Sequence, residues 1–212
     1  MLNALLSEIA RCTNGQLHGV DLAVHGISTD TRTLQGGELF VALKGDRYDA
    51  NDFIAAAHAQ GAAAALVSRL TDVNLPQVVV TDAERALGEI AKHIHAQRTT
   101  HIVGITGSNG KTTVKALTES ILRRVGRTHA NQGNFNNEVG LPLTLLAMPQ
   151  DTEFAVLEMG AGKPGDIAYL AAIARPQIGL VNNIAAAHLE RMGSLQGVAE
   201  TKGALYAALP AD

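Results

Sequence analysis

Tryptophan is absent and aromatic residues make up only 3% of the 212-residue chain. That leaves little on which nucleobases could stack, and it makes any core aliphatic and rich in alanine, as in Gly61-Ala62-Ala63-Ala64-Ala65. Cysteine occurs once, at Cys12, so no intrachain disulfide framework is possible; a packed position on the first helix is its expected place. Basic residues are not in surplus: 17 Lys and Arg face 20 Asp and Glu, a formal net charge of -3. Sequence-independent binding to nucleic acid, which needs excess cations to neutralise phosphates, is therefore not expected. No run reaches the ~18 apolar residues that cross a bilayer. The start, Met1 to Arg11, carries Glu8 and lacks the basic-then-apolar order of a signal peptide. The expectation is a soluble cytoplasmic protein with no nucleic acid and no membrane as partner. Hydrophobic residues are plentiful at 46%, enough for one large domain or two small ones.

Local patterns predict an α/β fold. A helix is expected from about Leu2 to Thr13, stopped by Gly15, with short strands near Ile27-Ser28 and Leu39 to Ala42. A helix over Asp52 to Gln60 follows, and then strands at Leu66-Val67 and Val78 to Val80. Helical spacing runs from Ala83 to Arg98, with Leu87, Ile90 and Ile94 on one face. The domain boundary is placed just before it, giving domains 1–82 and 83–212. Beyond Arg98 the rhythm becomes regular. Ile102 to Ile105, Phe154 to Leu157 and Ile178 to Val181 are short continuous apolar runs, typical of parallel strands buried on both faces. Helices are expected between and after them, from Lys111 to Val125 with Val114, Leu117, Ile121 and Leu122 inward, from Asp166 to Ala174 and from Val198 to Leu209. This alternation implies a mainly parallel sheet layered with helices.

The strongest chemical signal is Gly107-Ser108-Asn109-Gly110-Lys111-Thr112-Thr113, set between a buried strand and a helix. In that context the N–H groups of the loop and helix start point at bound phosphates. Lys111 supplies charge to the terminal phosphates, and the Thr112 hydroxyl can ligate Mg²⁺. The common pattern has a glycine five residues before the Gly-Lys pair, where this chain has Ile105, so the match is to a shorter variant. The plain alternative is a glycine-rich turn opening an ordinary helix.

Glu158 follows a buried strand, at the carboxyl edge where open α/β sheets hold ligands, and a hard carboxylate suits Mg²⁺. The alternative is a solvated strand-end carboxylate. His188, just after the strand Ile178 to Val181, falls on the same edge. Taken singly it reads as a loop histidine as readily as a ligand. Nothing in its surroundings distinguishes Lys202 from a surface lysine.

Together, Gly107 to Thr112, Glu158-Met159-Gly160 and His188-Leu189-Glu190 resemble the Mur ligases of peptidoglycan synthesis. Gly133 to Pro142, Ser28 to Arg32 and Leu39 to Gly45 resemble the branch of that family that adds D-alanyl-D-alanine. The resemblance covers the whole chain. It implies a small N-terminal α/β domain that holds the UDP-sugar, a P-loop-type central domain and a third, C-terminal domain. It also implies an ATP-dependent acid–amino-acid ligase. ATP phosphorylates the terminal carboxylate of UDP-N-acetylmuramoyl-tripeptide, and the amine of D-alanyl-D-alanine attacks the acyl phosphate. On this resemblance Lys111 and Thr112 serve the phosphates and Mg²⁺, Glu158 and His188 are Mg²⁺ ligands, and Lys202 is the lysine carbamylated by CO₂. The family often has Glu two residues after that lysine, where this chain has Ala204. Asn134, Asn136 and Asn137 resemble substrate-site residues, and Ser28, Asp30, Arg32 and Lys44 the region that grips the UDP-sugar. For any one of these four, a turn or ion-pair role is equally compatible with the sequence.

The sequence ends at Asp212, before the family's central domain would be complete. The expectation is that this chain alone does not complete ligation. The resemblance implies a monomer for the full-length protein, whereas an unpaired sheet edge here favours self-association. Other readings are another Mur-type ligase or a folylpolyglutamate synthetase, a non-catalytic UDP-sugar or nucleotide-binding module, and a general P-loop kinase or NTPase.

Overall fold

Alternating short apolar strands and helices build the chain as expected for an α/β protein. The computed structural model describes residues 2–187 and 189–211; of the residues singled out above, His188 lies outside them. Contacts divide the chain into two units, one ending at Ala96 and the other beginning at Gln97.

In chain order the first unit comprises β1 (Ala4–Leu5), α1 (Leu6–Cys12), β2 (Gln16–His18), β3 (Ala23–Val24), β4 (Ile27–Ser28), a 3-10 turn at Thr31–Thr33, and β5 (Leu39–Val41). A second 3-10 turn at Ala50–Phe53 then leads into α2 (Ile54–Ala59), β6 (Ala64–Val67), β7 (Gln77–Val79) and α3 (Ala83–His95). The main sheet runs β2-β7-β6-β5-β4; β4 to β7 are parallel, and β2 lies antiparallel on one edge. Phe40, Ala65 and Val67 meet Ile54 and Ala57 of α2 on one face. The expected helix from Leu2 is shorter than the sequence suggested. Residues 4–5 are extended and pair with β3, and the helix begins at Leu6. Gly15 does more than end it. A Cβ there would stand 2.8–2.9 Å from Val78, Val79 and Val80 atoms, so the close approach to β7 requires glycine.

Asp82 accepts hydrogen bonds from the Glu84 and Arg85 N–H groups and caps α3. The sequence pattern predicts a domain division before this helix. By packing, α3 belongs with the first unit: it lies against α1, and His93 Nε2 is 2.8 Å from Glu8 Oε1.

The second unit comprises β8 (His101–Thr106), α4 (Lys111–Leu122), β9 (Thr128–Ala130), α5 (Gly140–Ala147), β10 (Phe154–Glu158), α6 (Asp166–Ala174), β11 (Ile178–Val181), α7 (Leu189–Met192) and α8 (Leu195–Ala207). Its four strands are all parallel, in the order β11-β8-β10-β9. β8-α4-β9 advances in one direction across the sheet, and β9-α5-β10-α6-β11 advances in the other. Right-handed crossovers then put α4 on one face and α5 and α6 on the opposite one. Side chains bear this out. Val114 and Leu122 of α4, with Val103, pack on Ile105, Ala130 and Val156. The register partners Gly104 and Gly179 both face Leu205 of α8. The connections diverge between β8 and β10, which makes the crevice at their carboxyl ends the switch point where such sheets bind ligands.

The inward face expected for α4 is corrected. Leu117 and Ile121 are 61% and 66% exposed, whereas Lys115 is buried. The helix lies over β9, β10 and β8 and turns Lys115 toward the chain after β9. Its apolar flank, Leu117 and Ile121, is left exposed. Ile178, paired with Val103, is 60% exposed. Among the described residues no helix is long and apolar enough to cross a membrane.

Candidate active site

The switch point gathers the residues of the phosphate loop. Thr106 ends β8, its hydroxyl donating 2.8 Å to the Met159 carbonyl beyond β10. The loop then turns through Gly110, whose φ of 75° is left-handed; a Cβ there would meet Asn182 Nδ2 at 2.7 Å. The φ value favours glycine, and a side chain there would also push the Asn182 amide from its place. Lys111, Thr112 and Thr113 open α4, so their N–H groups have no acceptor within the helix and form an anion-attracting end. Lys111 Nζ donates to the Gly107 carbonyl at 3.0 Å, which folds its ammonium back over the loop.

Two loop residues turn out to be anchored from outside. Ser108 N–H donates to the Asn183 carbonyl at 3.0 Å, and Asn109 N–H donates to Asn183 Oδ1 at 2.9 Å. The Ser108 hydroxyl donates to the Ala185 carbonyl and accepts from the Ala185 N–H. Asn182 Nδ2 donates to the Asn109 carbonyl at 2.7 Å. The segment after β11 thus stitches the loop in place. Asn182 and Asn183 were not singled out from the sequence, because amide side chains leave no periodic trace; only the β8–β11 pairing brings them there.

Glu158 ends β10 and is 3% exposed. Thr112 Oγ1 donates to its Oε2 at 2.9 Å and Asn136 Nδ2 to its Oε1 at 2.8 Å. Both donors are neutral, and no described cation forms an ion pair with this carboxylate. Gly160 N–H donates to the Asn136 carbonyl, and a Cβ on Gly160 would strike Asn136 Oδ1 at 2.9 Å. No group of three or more His, Cys, Asp and Glu among the described residues could hold a metal. A buried carboxylate and a hydroxyl beside a phosphate-binding helix end nevertheless fit Mg²⁺, which takes few protein oxygens and completes its shell with water and phosphate oxygens.

Lys202, on α8, is 3% exposed, unlike a surface lysine. Burial first, and then the charge of Lys111, push its pKa down. Asn137 has a helix-starting role: its Oδ1 accepts from the Gly140 N–H at 2.8 Å. Asn134 is exposed, and its carbonyl accepts from the Asn136 N–H.

In the first unit, Ser28 and Lys44 follow or end adjacent parallel strands on the same sheet edge. Asp30 N–H donates to Ser28 Oγ. Arg32 grips the Asp30 carboxylate through Nε and a terminal nitrogen at 2.6–3.1 Å. These bonds hold the Asp30 pKa down at about 2. The turn is self-contained, with its arginine displayed at the surface. Lys44 is exposed, and its main chain forms an isolated antiparallel bridge with Asp49 across a short loop.

Two family models match the chain: "Mur ligase middle domain" over residues 105–212 and "Mur ligase family, catalytic domain" over residues 23–102. The chain belongs to the Mur ligase family. UDP-N-acetylmuramoyl-tripeptide–D-alanyl-D-alanine ligase of Escherichia coli (strain K12) is 47% identical to this Mur ligase chain over 210 residues, 99% of this chain and 46% of the relative. A crystal structure of MurF from Acinetobacter baumannii superposes with a TM-score of 0.94 at 33% identity, covering 99% of this chain and 47% of that one. MurF from Thermotoga maritima, solved in complex with ADP, gives 0.82 at 34% identity over 88% of this chain and 44% of that one. The Mur ligase chain therefore spans about half the length of the relatives it matches.

Proposed function

We propose that this chain is the UDP-sugar- and nucleotide-handling half of a cytoplasmic MurF-type enzyme. Such an enzyme joins D-alanyl-D-alanine to UDP-N-acetylmuramoyl-tripeptide at the expense of ATP, in peptidoglycan precursor synthesis. The observation that carries the proposal is the Thr112–Glu158 hydrogen bond at the switch point of the sheet, directly under the helix end of the Gly107–Thr113 loop. The likeness to D-alanyl-D-alanine ligases over nearly the whole chain supports the substrate assignment.

In this reading the tripeptide's terminal carboxylate oxygen attacks the γ-phosphorus and ADP leaves. The D-alanyl-D-alanine amine then attacks the acyl carbon, phosphate leaves, and the amine gives up a proton. A carboxylate and a polyphosphate repel each other, so bringing them together needs cationic and dipolar groups held in place beforehand. The N–H groups of Lys111, Thr112 and Thr113 and the Lys111 ammonium fill that role for the phosphates. Thr112 and Glu158 would hold Mg²⁺, joined by His188 as the family resemblance implies; when bound, the cation offsets negative charge on the phosphate oxygens. The lowered pKa of Lys202 enlarges its neutral fraction. A neutral amine can add CO₂, releasing one proton and replacing a cation with a carbamate. Asn136 holds the Glu158 carboxylate from the other side. Ser28, Asp30, Arg32 and Lys44 lie on the first unit's sheet edge, where a UDP-sugar would be gripped.

Calorimetric titration of the folded chain with UDP-N-acetylmuramoyl-tripeptide, and separately with ADP and Mg²⁺, tests the reading. Saturable binding of both is expected. A folded chain that binds neither refutes it.

A further inference from the structure

Lys115 is a lysine on the α4 face that packs against the sheet, 6% exposed, at a position that neither phosphate binding nor the apolar packing of the helix demands. Its Nζ donates to the main-chain carbonyl of Asn131 at 2.6 Å. Asn131, itself buried, stands immediately after β9, level with the end of β10. Its side-chain amide takes over where the strand ladder stops. Oδ1 accepts from the Glu158 N–H at 2.9 Å, and Nδ2 donates to the Glu158 carbonyl at 2.9 Å. The same Nδ2 also donates to the Phe135 carbonyl at 2.8 Å, which fixes the turn that presents Asn136 to the Glu158 carboxylate.

These bonds close a ring. Starting on α4, it runs from Thr112 to the Glu158 carboxylate, through the Glu158 main chain to the Asn131 side chain, through the Asn131 carbonyl to Lys115, and along one helical turn back to Thr112. Thr112 and Asn136 hold the two carboxylate oxygens, and β8 holds the strand end on one side through the Met159 N–H and carbonyl; Asn131 holds it on the other. The second anchor fixes the backbone from which the carboxylate springs. Groups that orient a ligand in this way matter because carboxylate donors must be held to a fraction of an ångström.

We infer that Lys115 and Asn131 are positioning residues that fix the Glu158 carboxylate, and with it Asn136, relative to the phosphate-binding helix. The inference rests on the reading of Thr112 and Glu158 as a divalent-cation site. Charge alone predicts the opposite behaviour. Removing a buried cation near a cation site strengthens metal binding by Coulomb's law, whereas removing a positioning group weakens it.

The test is Mn²⁺ binding to the 212-residue chain saturated with ADP, followed by electron paramagnetic resonance of the free ion. Metal-free ADP affinity and the melting temperature are measured alongside. Lys115→Met should raise the Mn²⁺ Kd by roughly tenfold or more, in line with the loss of groups that orient metal ligands. Metal-free ADP affinity should stay within about threefold. Asn131→Ser should behave in the same way, and the double variant should be no worse than Asn131→Ser alone, because groups acting in series are not additive. If Lys115→Met does not fold, Asn131→Ser carries the same prediction. A tighter or unchanged Mn²⁺ Kd, effects that multiply in the double variant, or metal-free and metal-dependent binding falling in parallel would each overturn the inference. A wild-type chain that binds ADP but no Mn²⁺ overturns the cation-site reading, and this inference with it.

Discussion

Replacing Thr112 by Val keeps the shape of the side chain and deletes one donor. The acceptor left behind is Oε2 of Glu158, on a carboxylate 3% exposed, whose other oxygen is held by Asn136 at 2.8 Å. Water has little access to replace the lost 2.9 Å bond. A buried acceptor stripped of its donor costs about 1–3 kcal/mol, with charged groups toward the upper end. For a domain of this size, each kcal/mol lowers the melting temperature by roughly 4 °C. Thr112→Val should therefore melt several degrees below wild type and lose about 1–3 kcal/mol in urea unfolding monitored by circular dichroism. Thr112→Ser, which keeps the hydroxyl, should remain within about 1 kcal/mol of wild type. If the Val variant is as stable as the Ser variant, the hydroxyl is not supporting the carboxylate and the account of this corner of the fold is wrong.

Burial first, then the charge of Glu8, push the Cys12 thiol up to about 11. The native chain should therefore react negligibly with Ellman's reagent at pH 8 and fully once unfolded in urea; rapid native labelling would contradict the packing of α1. Gly110→Ala should impair folding and ADP binding more than Gly133→Ala. Both glycines have positive φ, but only at Gly110 would the new Cβ collide, 2.7 Å from Asn182 Nδ2; equal losses in a thermal melt would deny that contact. Burial lowers the pKa of His129. Its contribution to stability is thus complete above the unfolded value of about 6.5 and is lost as pH falls through the folded pKa. His129→Gln should flatten the acid limb of the urea-midpoint profile between neutral pH and about pH 5, and an unchanged limb would sink the assignment.

The phosphate loop, its flanking strand and helix, and Glu158 at a strand end were legible because glycine spacing and buried-strand runs are local signals. The outward flank of α4 was not. Apolar spacing at Val114, Leu117, Ile121 and Leu122 reads as one inward stripe, and only the offset of the helix over β9 and β10 leaves Leu117 and Ile121 outside while drawing Lys115 in. Helix α5 escaped notice because Gly140 to Ala147 is apolar on all sides and carries Pro142 in its first turn, where proline is tolerated. The capping signal at Asp82 marks where α3 starts and says nothing about which sheet it covers. Asn131, Asn182 and Asn183 acquire their roles from strand register, which no single segment of sequence encodes.

The central claim is that the β8–β10 crevice gathers a divalent cation and nucleotide phosphates against Thr112 and Glu158. Anomalous diffraction at the manganese edge, from crystals of the chain grown with ADP and Mn²⁺, tests it directly. The account predicts a peak in contact with Thr112 Oγ1 and a Glu158 carboxylate oxygen, beside phosphate density at the N-terminus of α4. ADP bound there with manganese elsewhere, or phosphate density away from that helix end, would contradict it.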